Sequence, residues 1–234
     1  CAVQDIVNAG QLSIIPFLIK APISPSFKIQ AIDSLWFDKS LYSENVNLID
    51  SIDSAIIDDP KKIETLKINN FKTEINFLID QLFHTDFNRC YKSLKELQKY
   101  PPHQVYYNLN IHWERAKLDY GAIYFFINAY KFLLKNGFYN ESLLEKVEFL
   151  LSDYWPDHMK FKSSAIEVLG RLNNSKFYDY SHRFADEKLT PFWKNRYTYL
   201  IVLEEIESNF GKDLASLFLK DSHRFVRLKA KKFC

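Results

Sequence analysis

Apolar positions recur at helical spacing along most of the chain. In ESLLEKVEFLLSDY (141–154) and LSIIPFLI (12–19), apolar residues return every three to four positions, and polar residues fill the intervals. Short polar breaks separate such segments, and the whole chain contains five Gly and eight Pro, which is too little turn chemistry for a barrel or a sandwich. The pattern predicts an all-α protein.

One helical pattern recurs along the chain. FKSSAIEVLG (161–170) and FKIQAIDSLW (27–36) share an aromatic residue, a Lys, an Ala-Ile pair, an acid and a Leu in the same register. Shorter or looser copies are NRYTYLIVLEE (195–205), VRLKAKKFC (226–234), FNRCYKSL (87–94) and DYGAIYFF (119–126). A pattern repeated at a regular interval indicates a repeat architecture.

The repeats predict stacked helix pairs. The small or central residues of the copies lie mostly 29 to 43 positions apart, at 2, 31, 90, 122, 165, 199 and 230, with a second apolar segment between them. A base follows the first apolar position in four copies, at Lys28, Lys162, Arg196 and Arg227. We therefore expect an α-solenoid of HEAT-like helix-pair repeats. The alternative is an arbitrary run of amphipathic helices.

The same pattern predicts the domain organisation. We expect residues 1–234 to form a single α-solenoid domain, with an irregular or degenerate repeat at 44–76, where the interval between copies nearly doubles. Both ends cut the pattern in mid-repeat, and solenoids need covered ends. We therefore expect the chain to belong to a longer protein, or a partner to cover an end.

Composition excludes several classes of protein. The net charge of +2 gives no strong attraction to nucleic acid or to an anionic membrane, and no apolar run approaches the roughly 20 residues of a membrane span. Three cysteines without metal or redox spacing indicate a reducing, cytoplasmic location. The sequence lacks GxxxxGK[ST], GxGxxG, HExxH, GxSxG and paired CxxC, so we expect no nucleotide site, metal site or serine nucleophile.

Three groups of residues combine rings with charged side chains. The first lies in NLNIHWERAKLDYGAIYFFINAY (108–130), where a continuous helix would place His112, Arg115 and Asp119 on one face beside Trp113 and Tyr120. Arg115 and His112 on this face could hold the acidic groups of a ligand, while Asp119 pairs with a cationic nitrogen of the same ligand. The alternative is a solvated salt bridge between Arg115 and Asp119.

The other two groups follow in later repeats. DYWPDHMKFK (153–162) contributes Trp155 and His158, although Asp157 there is also a good cap for the next helix. YDYSHRFADEKLTPFWKNRY (178–197) contributes two bases, a His and a Trp, namely Arg183, Arg196, His182 and Trp193. Rings beside bases suit a flat conjugated acid, but they also suit ordinary helix packing. In a solenoid, the three groups are expected to line one concave surface.

The chain also resembles a known family, the HEAT-repeat phycobilin lyases of the E/F type, and among them the phycoerythrin-directed members most. The resemblance is carried by AVQDIVNAGQLSIIPFLI (2–19), FKIQAIDSLW (27–36), DYGAIYFFINA (119–129), FKSSAIEVLGRL (161–172) and DSHRFVRLKAKKF (221–233). It implies a protein that binds an open-chain tetrapyrrole and attaches it through a thioether to a cysteine of a phycobiliprotein α or β subunit. Bilin, as phycoerythrobilin or phycocyanobilin, is then the substrate, no cofactor is tightly bound, and a second HEAT-repeat lyase subunit is a possible partner.

The resemblance gives the three groups roles. The bilin propionates would be held by bases, the pyrrole nitrogens by Asp119, which is also the candidate acid/base, and the flat π-system by rings. The expected ligand-binding residues are His112, Trp113, Arg115, Tyr120, Trp155, His158, His182, Arg183, Trp193 and Arg196. Two other classes stay open: a non-catalytic HEAT adaptor that grips a protein segment, and a HEAT-type DNA glycosylase, against which the low net charge counts.

Overall fold

A computed structural model shows an all-helical protein, as the apolar pattern predicts. It describes residues 15–23, 59–206 and 211–234, with single positions at 5, 9, 27, 28, 31, 53 and 56. Within these residues there are thirteen helices and no strand. None of these helices combines the length and the apolar character needed to cross a membrane. The chain forms two compact units, Cys1–Phe126 and Ile127–Cys234, which we describe separately.

Unit 1 is a set of short helices. In chain order they are α1 (Ile15–Lys20), α2 (Ile75–Gln81), α3 (Phe87–Leu97), α4 (Pro102–Ile111), α5 (Trp113–Ala116) and the first turns of α6 (Tyr120–Lys135). Asp86 caps α3, because its Oδ1 accepts a hydrogen bond from the amide of Asn88 at 2.9 Å. Proline is favoured in the first turn of a helix, and Pro102 begins α4.

Aromatic side chains form the centre of unit 1. The Tyr91 ring of α3 lies 5.1 Å from the Phe125 ring of α6, edge to face, and Phe83 meets Phe126 in the same way at 5.5 Å. The Tyr91 and Tyr124 hydroxyls are 3.3 Å apart. Edge-to-face pairs add to the free energy of burial, so these contacts hold α3 against the start of α6.

Residues 59–74 contain no helix and are bound to α3. Asn88 Oδ1 accepts a hydrogen bond from the backbone amide of Leu66 at 2.8 Å, and Lys95 Nζ donates to the carbonyl of Ile63. Asn88 and Lys95 are seven positions apart, so they lie on one face of α3. The region predicted as irregular or degenerate, 44–76, lies partly outside the described residues.

Unit 2 is built around two buried helices. Its members after α6 are α7 (Ser142–Leu151), α8 (Lys160–Leu172), α9 (Asn174–Asp179), α10 (Ser181–Ala185), α11 (Trp193–Glu205), α12 (Gly211–Ser216) and α13 (Arg224–Phe233). Every side chain from 160 to 170 and from 193 to 203 is buried. α8 packs against α7, α9 and α11, and α11 packs against α8, α10, α12 and α13.

A glycine permits close packing of α8 and α11. A Cβ added to Gly170 would lie 2.3 Å from Val202 Cγ1, 3.1 Å from Ile206 Cδ1 and 3.3 Å from Phe177 Cδ2. These distances leave no room for a methyl group, so the approach of the two helices depends on the missing side chain.

Several buried polar groups of unit 2 are paired across helices. Lys131 of α6 and Glu167 of α8 form an ion pair at 3.2 Å, and both side chains are almost fully buried. Ser163 of α8 donates to Asn195 of α11 at 2.9 Å. Burial of such groups is costly unless they are bonded, so these pairs specify which faces of the three helices meet.

The recurring base has a recurring contact. Each of the four bases predicted to share one register donates to a backbone carbonyl of the segment before its own helix: Lys28 to Ile19, Lys162 to Ser152, Arg196 to Thr190 and Arg227 to Asp221. Carbonyls at helix ends and in turns have no partner within their own helix. The base supplies one, which explains physically why the pattern repeats. The HEAT-like solenoid and the single domain stay predictions.

Candidate functional site

The first predicted group does not lie on one continuous helix. α4 ends at Ile111, the four-residue α5 ends at Ala116, and α6 begins at Tyr120, so His112, Arg115 and Asp119 belong to three different local structures. The expectation of a common helical face is therefore wrong, because the spacing rule applies only within one helix.

The guanidinium of Arg115 lies over an aromatic ring. Its guanidinium carbon is 3.9 Å from the centre of the Phe83 ring, and Nη1 is 3.7 Å from Asp80 Oδ1. The expected alternative, a salt bridge from Arg115 to Asp119, is therefore replaced by an ion pair with Asp80. Both paired side chains are about 60% exposed, at 61% and 60%. An exposed ion pair is weak, so the ring holds the guanidinium while its charge stays accessible to an anion.

Asp119 caps α6. Its Oδ1 accepts hydrogen bonds from the amides of Gly121 and Ala122 at 2.8 and 2.9 Å. Within the described part of the chain, Oδ2 has no hydrogen-bond partner, and the residue is half-buried. One oxygen thus has a structural role and the other is available for chemistry.

The neighbours of Asp119 differ in access. Tyr120 is 44% exposed, and partial burial raises the pKa of its hydroxyl, which is therefore neutral at physiological pH. Trp113 is buried, and His112 is half-buried between α4 and α5. Of the rings predicted in this group, Tyr120 is the one that presents a surface.

The second group forms an aromatic corner after α7. The Trp155 ring meets Phe161 at 5.4 Å and Tyr154 at 5.3 Å, edge to face in both cases, and Tyr154 is 63% exposed. The indole Nε1 is enclosed and finds no acceptor within the part of the chain that the structure describes. His158 is exposed in the turn before α8.

Asp157 caps a helix, but not the expected one. We expected it to cap the following helix, α8, yet α8 has Met159 at its N-cap position and no side-chain cap there. Instead, Asp157 Oδ2 accepts from the amide of Phe192 at 2.8 Å, at the start of α11, and Oδ1 accepts from Asn195 Nδ2 at 2.9 Å. The turn between α7 and α8 is thereby joined to α11.

The structure brings part of the third group to this turn. Arg183 of α10 forms an ion pair with Asp153, whose side chain is 90% exposed, while that of Arg183 is 31% exposed. Burial lowers the pKa of the nearby Lys162, with smaller effects of Asp157 and Arg183 in opposite directions. His182 is exposed. Arg183 is thus a partly buried cation whose counter-ion an incoming carboxylate could replace.

Two predicted ligand-binding residues point inward. Arg196 is 2% exposed, and its guanidinium donates to both oxygens of Asp221, at 2.6 and 2.9 Å, and to the carbonyl of Thr190 at 2.7 Å. Trp193 is 7% exposed and stacks on His223 at 4.2 Å with the rings nearly parallel. A ligand would have to break a buried bidentate pair to reach Arg196, so we assign both residues to the interior.

Sequence reasoning missed the carboxylates that partner the arginines. The acids Asp80, Asp153 and Asp221 each pair with a predicted arginine. The sequence contained a signal for Asp221. It lies just before a repeat helix and is followed by His223, much as Asp157 lies before α8 and is followed by His158.

Unit 1 also contains a cavity that the sequence did not indicate. It has a volume of about 460 Å³ and is lined by Phe17, Lys20, Ala21, Pro22, Glu64, Thr65 and Leu66. Its size is suited to a small ligand, but it contains none of the predicted site residues. The described residues include no group of three or more His, Cys, Asp or Glu that could hold a metal ion.

Fold and site together define an all-helical protein that displays arginines supported by rings or by neighbouring helices. The chain is 25% identical, over 98% of its length, to the bilin biosynthesis protein CpeY of Synechococcus sp. (strain WH8020). It is 24% identical, over 91% of its length, to the uncharacterized phycocyanin operon protein Y of Pseudanabaena tenuis (strain PCC 7409). The chain spans 56% and 50% of these two relatives, about half of each. No family model and no solved structure matches the chain.

Proposed function

We propose that the protein is a phycobilin lyase, or a bilin chaperone, of the HEAT-repeat E/F type and closest to the phycoerythrin-directed members. It binds an open-chain tetrapyrrole and attaches it through a thioether to a cysteine of a phycobiliprotein subunit. The observation that carries the proposal is similarity along nearly the whole chain to a protein named for bilin biosynthesis. The phycocyanin operon protein, similar over 91% of the chain, supports the same direction.

Each unit has an arginine with the charge that a bilin propionate requires. Arg115 on the Phe83 ring in unit 1 and Arg183 beside Asp153 in unit 2 are each accessible to a carboxylate. A charge-assisted hydrogen bond to such a carboxylate is stronger than a neutral one. In each case the present counter-ion is an exposed Asp, which can return to water when the ligand binds.

Further rings and histidines of the predicted groups are proposed as bilin contacts in each unit. Tyr120 and Trp155 are the rings that retain surface, and the remaining members are His112, His158 and His182. Trp193, Arg196 and the buried Trp113 are left out of direct contact because they are enclosed. The prediction that all three groups line one concave surface stays a prediction.

The attachment step needs no external oxidant. The acceptor S–H adds across an exocyclic double bond of the bilin: a C–S bond forms, the proton moves to the neighbouring carbon, and nothing leaves. The protein contributes orientation and a proton-transfer group. We assign the proton transfer to Asp119 Oδ2, since Oδ1 is occupied by the cap.

The proposed partners follow from the same chemistry. They are a phycobiliprotein α or β subunit, which brings the attacking thiol, and a second HEAT-repeat lyase subunit. The proposed location is the compartment in which phycobiliproteins acquire their bilins, either the cyanobacterial cytoplasm or the plastid stroma.

A visible-absorbance titration tests the binding proposal. Phycoerythrobilin and phycocyanobilin are added to the purified protein, with haem as a specificity control. A saturable red shift with sharpened bands is expected, because a pocket that extends and protonates a bilin changes its spectrum. No change at tens of micromolar protein, a range that ordinary ligand affinities reach, would instead favour an adaptor.

A transfer assay then separates a lyase from a chaperone. The bilin-loaded protein is mixed with an apo-phycobiliprotein subunit, and the product is denatured. A lyase leaves the chromophore covalently bound to the subunit with a single absorbance maximum. A chaperone that only releases bilin gives the same products as a control reaction of bilin and subunit without the protein.

A further inference from the structure

Helices α12 and α13 carry a concentrated positive charge. Residues 211–234 contain seven Lys and Arg against two Asp, a surplus of five, whereas the whole chain has a net charge of +2. The remainder of the chain is therefore slightly acidic. Such asymmetry produces a local field that the net charge hides.

The charge lies on one side of α13. Positions 225, 226, 229 and 230 are buried, and the one base among them, Lys229, is paired with Glu204 at 2.8 Å. Positions 224, 227, 228, 231, 232 and 233 are exposed or half-buried, and apart from Leu228 and Phe233 all of them are Arg or Lys. The solvent-facing side of this helix thus has four bases and no acid.

Lys212 extends this side of the unit. Cys234 Sγ donates to the carbonyl of Lys212 at 3.6 Å, so the end of α13 lies beside the start of α12. Lys212, Lys231 and Lys232 are all exposed. Of the two acids in residues 211–234, Asp221 is buried against Arg196. Only Asp213 is exposed and can offset the charge of these lysines. We define the basic surface as the four exposed or half-buried bases of α13 together with Lys212.

Helix stability does not account for this arrangement. Lys231 and Lys232 lie in the last turn, where the helix dipole favours cations, but Arg224 lies in the first turn, where it disfavours them. Arg227 and Lys231 are four positions apart, a spacing at which like charges repel. The cluster therefore costs some folding stability, as expected of a surface that serves recognition of an oppositely charged partner.

We infer that the basic surface docks an acidic face of the acceptor phycobiliprotein subunit; this inference rests on the proposed function. The same surface of a second copy is a poor occupant, because two such surfaces would repel each other. Outside its buried positions, α13 has two apolar residues, the half-buried Leu228 and Phe233, which is too little to insert into a membrane. The basic surface contains none of the residues proposed to hold the bilin, so it positions the acceptor.

A triple charge variant tests the inference. Lys212→Gln, Lys231→Gln and Lys232→Gln remove three charges while keeping an unbranched polar side chain and a similar helix propensity. The matched control is Lys62→Gln, Lys67→Gln and Lys72→Gln, which removes the same charge from exposed positions elsewhere. Affinity for an apo-phycobiliprotein subunit is measured at about 50 and about 300 mM salt, where screening differs strongly. Melting temperatures verify that each variant is folded, and Lys231→Gln alone serves as a milder second variant.

The wild type and the control are expected to bind the subunit with an affinity that falls with salt. The basic-surface variant should bind at least about tenfold more weakly at low salt and lose most of its salt dependence. Equal affinities of the two triple variants, or no subunit binding by the wild type, would overturn the inference. Charge-dependent binding to duplex DNA or to anionic vesicles without binding to the subunit would overturn it too.

Bilin titrations on the same preparations separate this inference from the proposed function. A retained bilin spectrum with unchanged subunit binding rejects the docking surface alone. Conversely, the absence of a bilin spectrum in every variant rejects the proposed function, while a charge-dependent loss of subunit binding would still support the docking surface.

Discussion

At the scale of single residues, Asp119 caps α6 and is proposed to transfer a proton, and substitutions can separate the two roles. Asn caps helices about as well as Asp but cannot transfer a proton, whereas Ala does neither. Asp119→Asn should therefore keep the melting temperature and lose bilin transfer, while Asp119→Ala should lose transfer and also about 1 kcal/mol of unfolding free energy. Denaturant unfolding and the transfer assay measure the two effects.

The Asp119 variants also separate binding from chemistry. If Asp119 acts only in proton transfer, the bilin spectrum of Asp119→Asn should still saturate, although its maximum moves because the chromophore is less protonated. Full transfer by Asp119→Asn would remove the acid/base role and leave Asp119 as a helix cap.

Tyr199 gives the stability of unit 2 a pH dependence. Its hydroxyl donates to the carbonyl of Phe177 at 3.4 Å, and burial raises the pKa of Tyr199 well above its usual value near 10. Above pH 10 the unfolded chain releases this proton and the folded chain keeps it, so the unfolding free energy falls as pH rises through the folded pKa. The slope for one such group approaches about 1.4 kcal/mol per pH unit.

Tyr199→Phe should remove that slope. At pH 7 we expect it to cost about 1 kcal/mol for the lost hydrogen bond, and above pH 10 the difference from the wild type should shrink. Denaturant unfolding at pH 7, 10 and 11 measures this difference, with Tyr139→Phe at a 55% exposed position as the control. If the unfolding free energies of the wild type and Tyr199→Phe changed in parallel with pH, Tyr199 would have the same pKa in the folded and unfolded chain.

At the scale of helices, the repeated base is a feature that the sequence alone could predict. The register of Lys28, Lys162, Arg196 and Arg227 could be predicted, and the structure shows a shared contact with a backbone carbonyl. The break between α5 and α6 could not be predicted with the same ease. Residues 116–118 are Ala, Lys and Leu, all good helix formers, so tertiary packing and the cap at Asp119 decide where α6 begins.

The same limit applies to the candidate site. Arg115 and Arg196 look equivalent in the sequence, each three residues or fewer from a Trp. The structure leaves Arg115 exposed on a ring and buries Arg196 against Asp221. Residue type indicates which side chains could bind a ligand, but their access depends on partners at long sequence distance, Phe83 and Asp221, and no local pattern contains them.

The contact between α8 and α11 yields a prediction on packing. Gly170→Ala places a methyl group within 2.3 Å of Val202, and overpacking of this kind costs about 1–3 kcal/mol. Gly121→Ala is the matched control, because its Cβ would meet Asp119 Oδ1 at an ordinary 3.4 Å. Thermal unfolding should show a lower melting temperature for Gly170→Ala alone. Equal melting temperatures would mean that α8 and α11 separate without cost.

At the scale of the whole molecule, the accessible bases form two sets. Arg115 in unit 1 and Arg183 in unit 2 are exposed or half-buried cations with replaceable Asp partners, and the bases of α12 and α13 are the second set. A net charge of +2 conceals this division. The arginines are assigned to the small ligand and the basic surface to the acceptor, so variants of the two sets should affect different measurements.

The last prediction concerns which unit contributes to bilin binding. A hydrogen bond between charged groups contributes about 1.5–3 kcal/mol, so Arg115→Gln and Arg183→Gln should each raise the bilin Kd by about tenfold or more if their guanidiniums hold propionates. Arg89→Gln and Arg171→Gln are matched controls, because these arginines are also paired with carboxylates but lie outside the proposed set. Absorbance titration measures all four. A loss confined to one of the two test variants would assign the propionate contact to that unit. Unchanged affinity in both would exclude the two arginines and direct attention to the cavity beside Phe17.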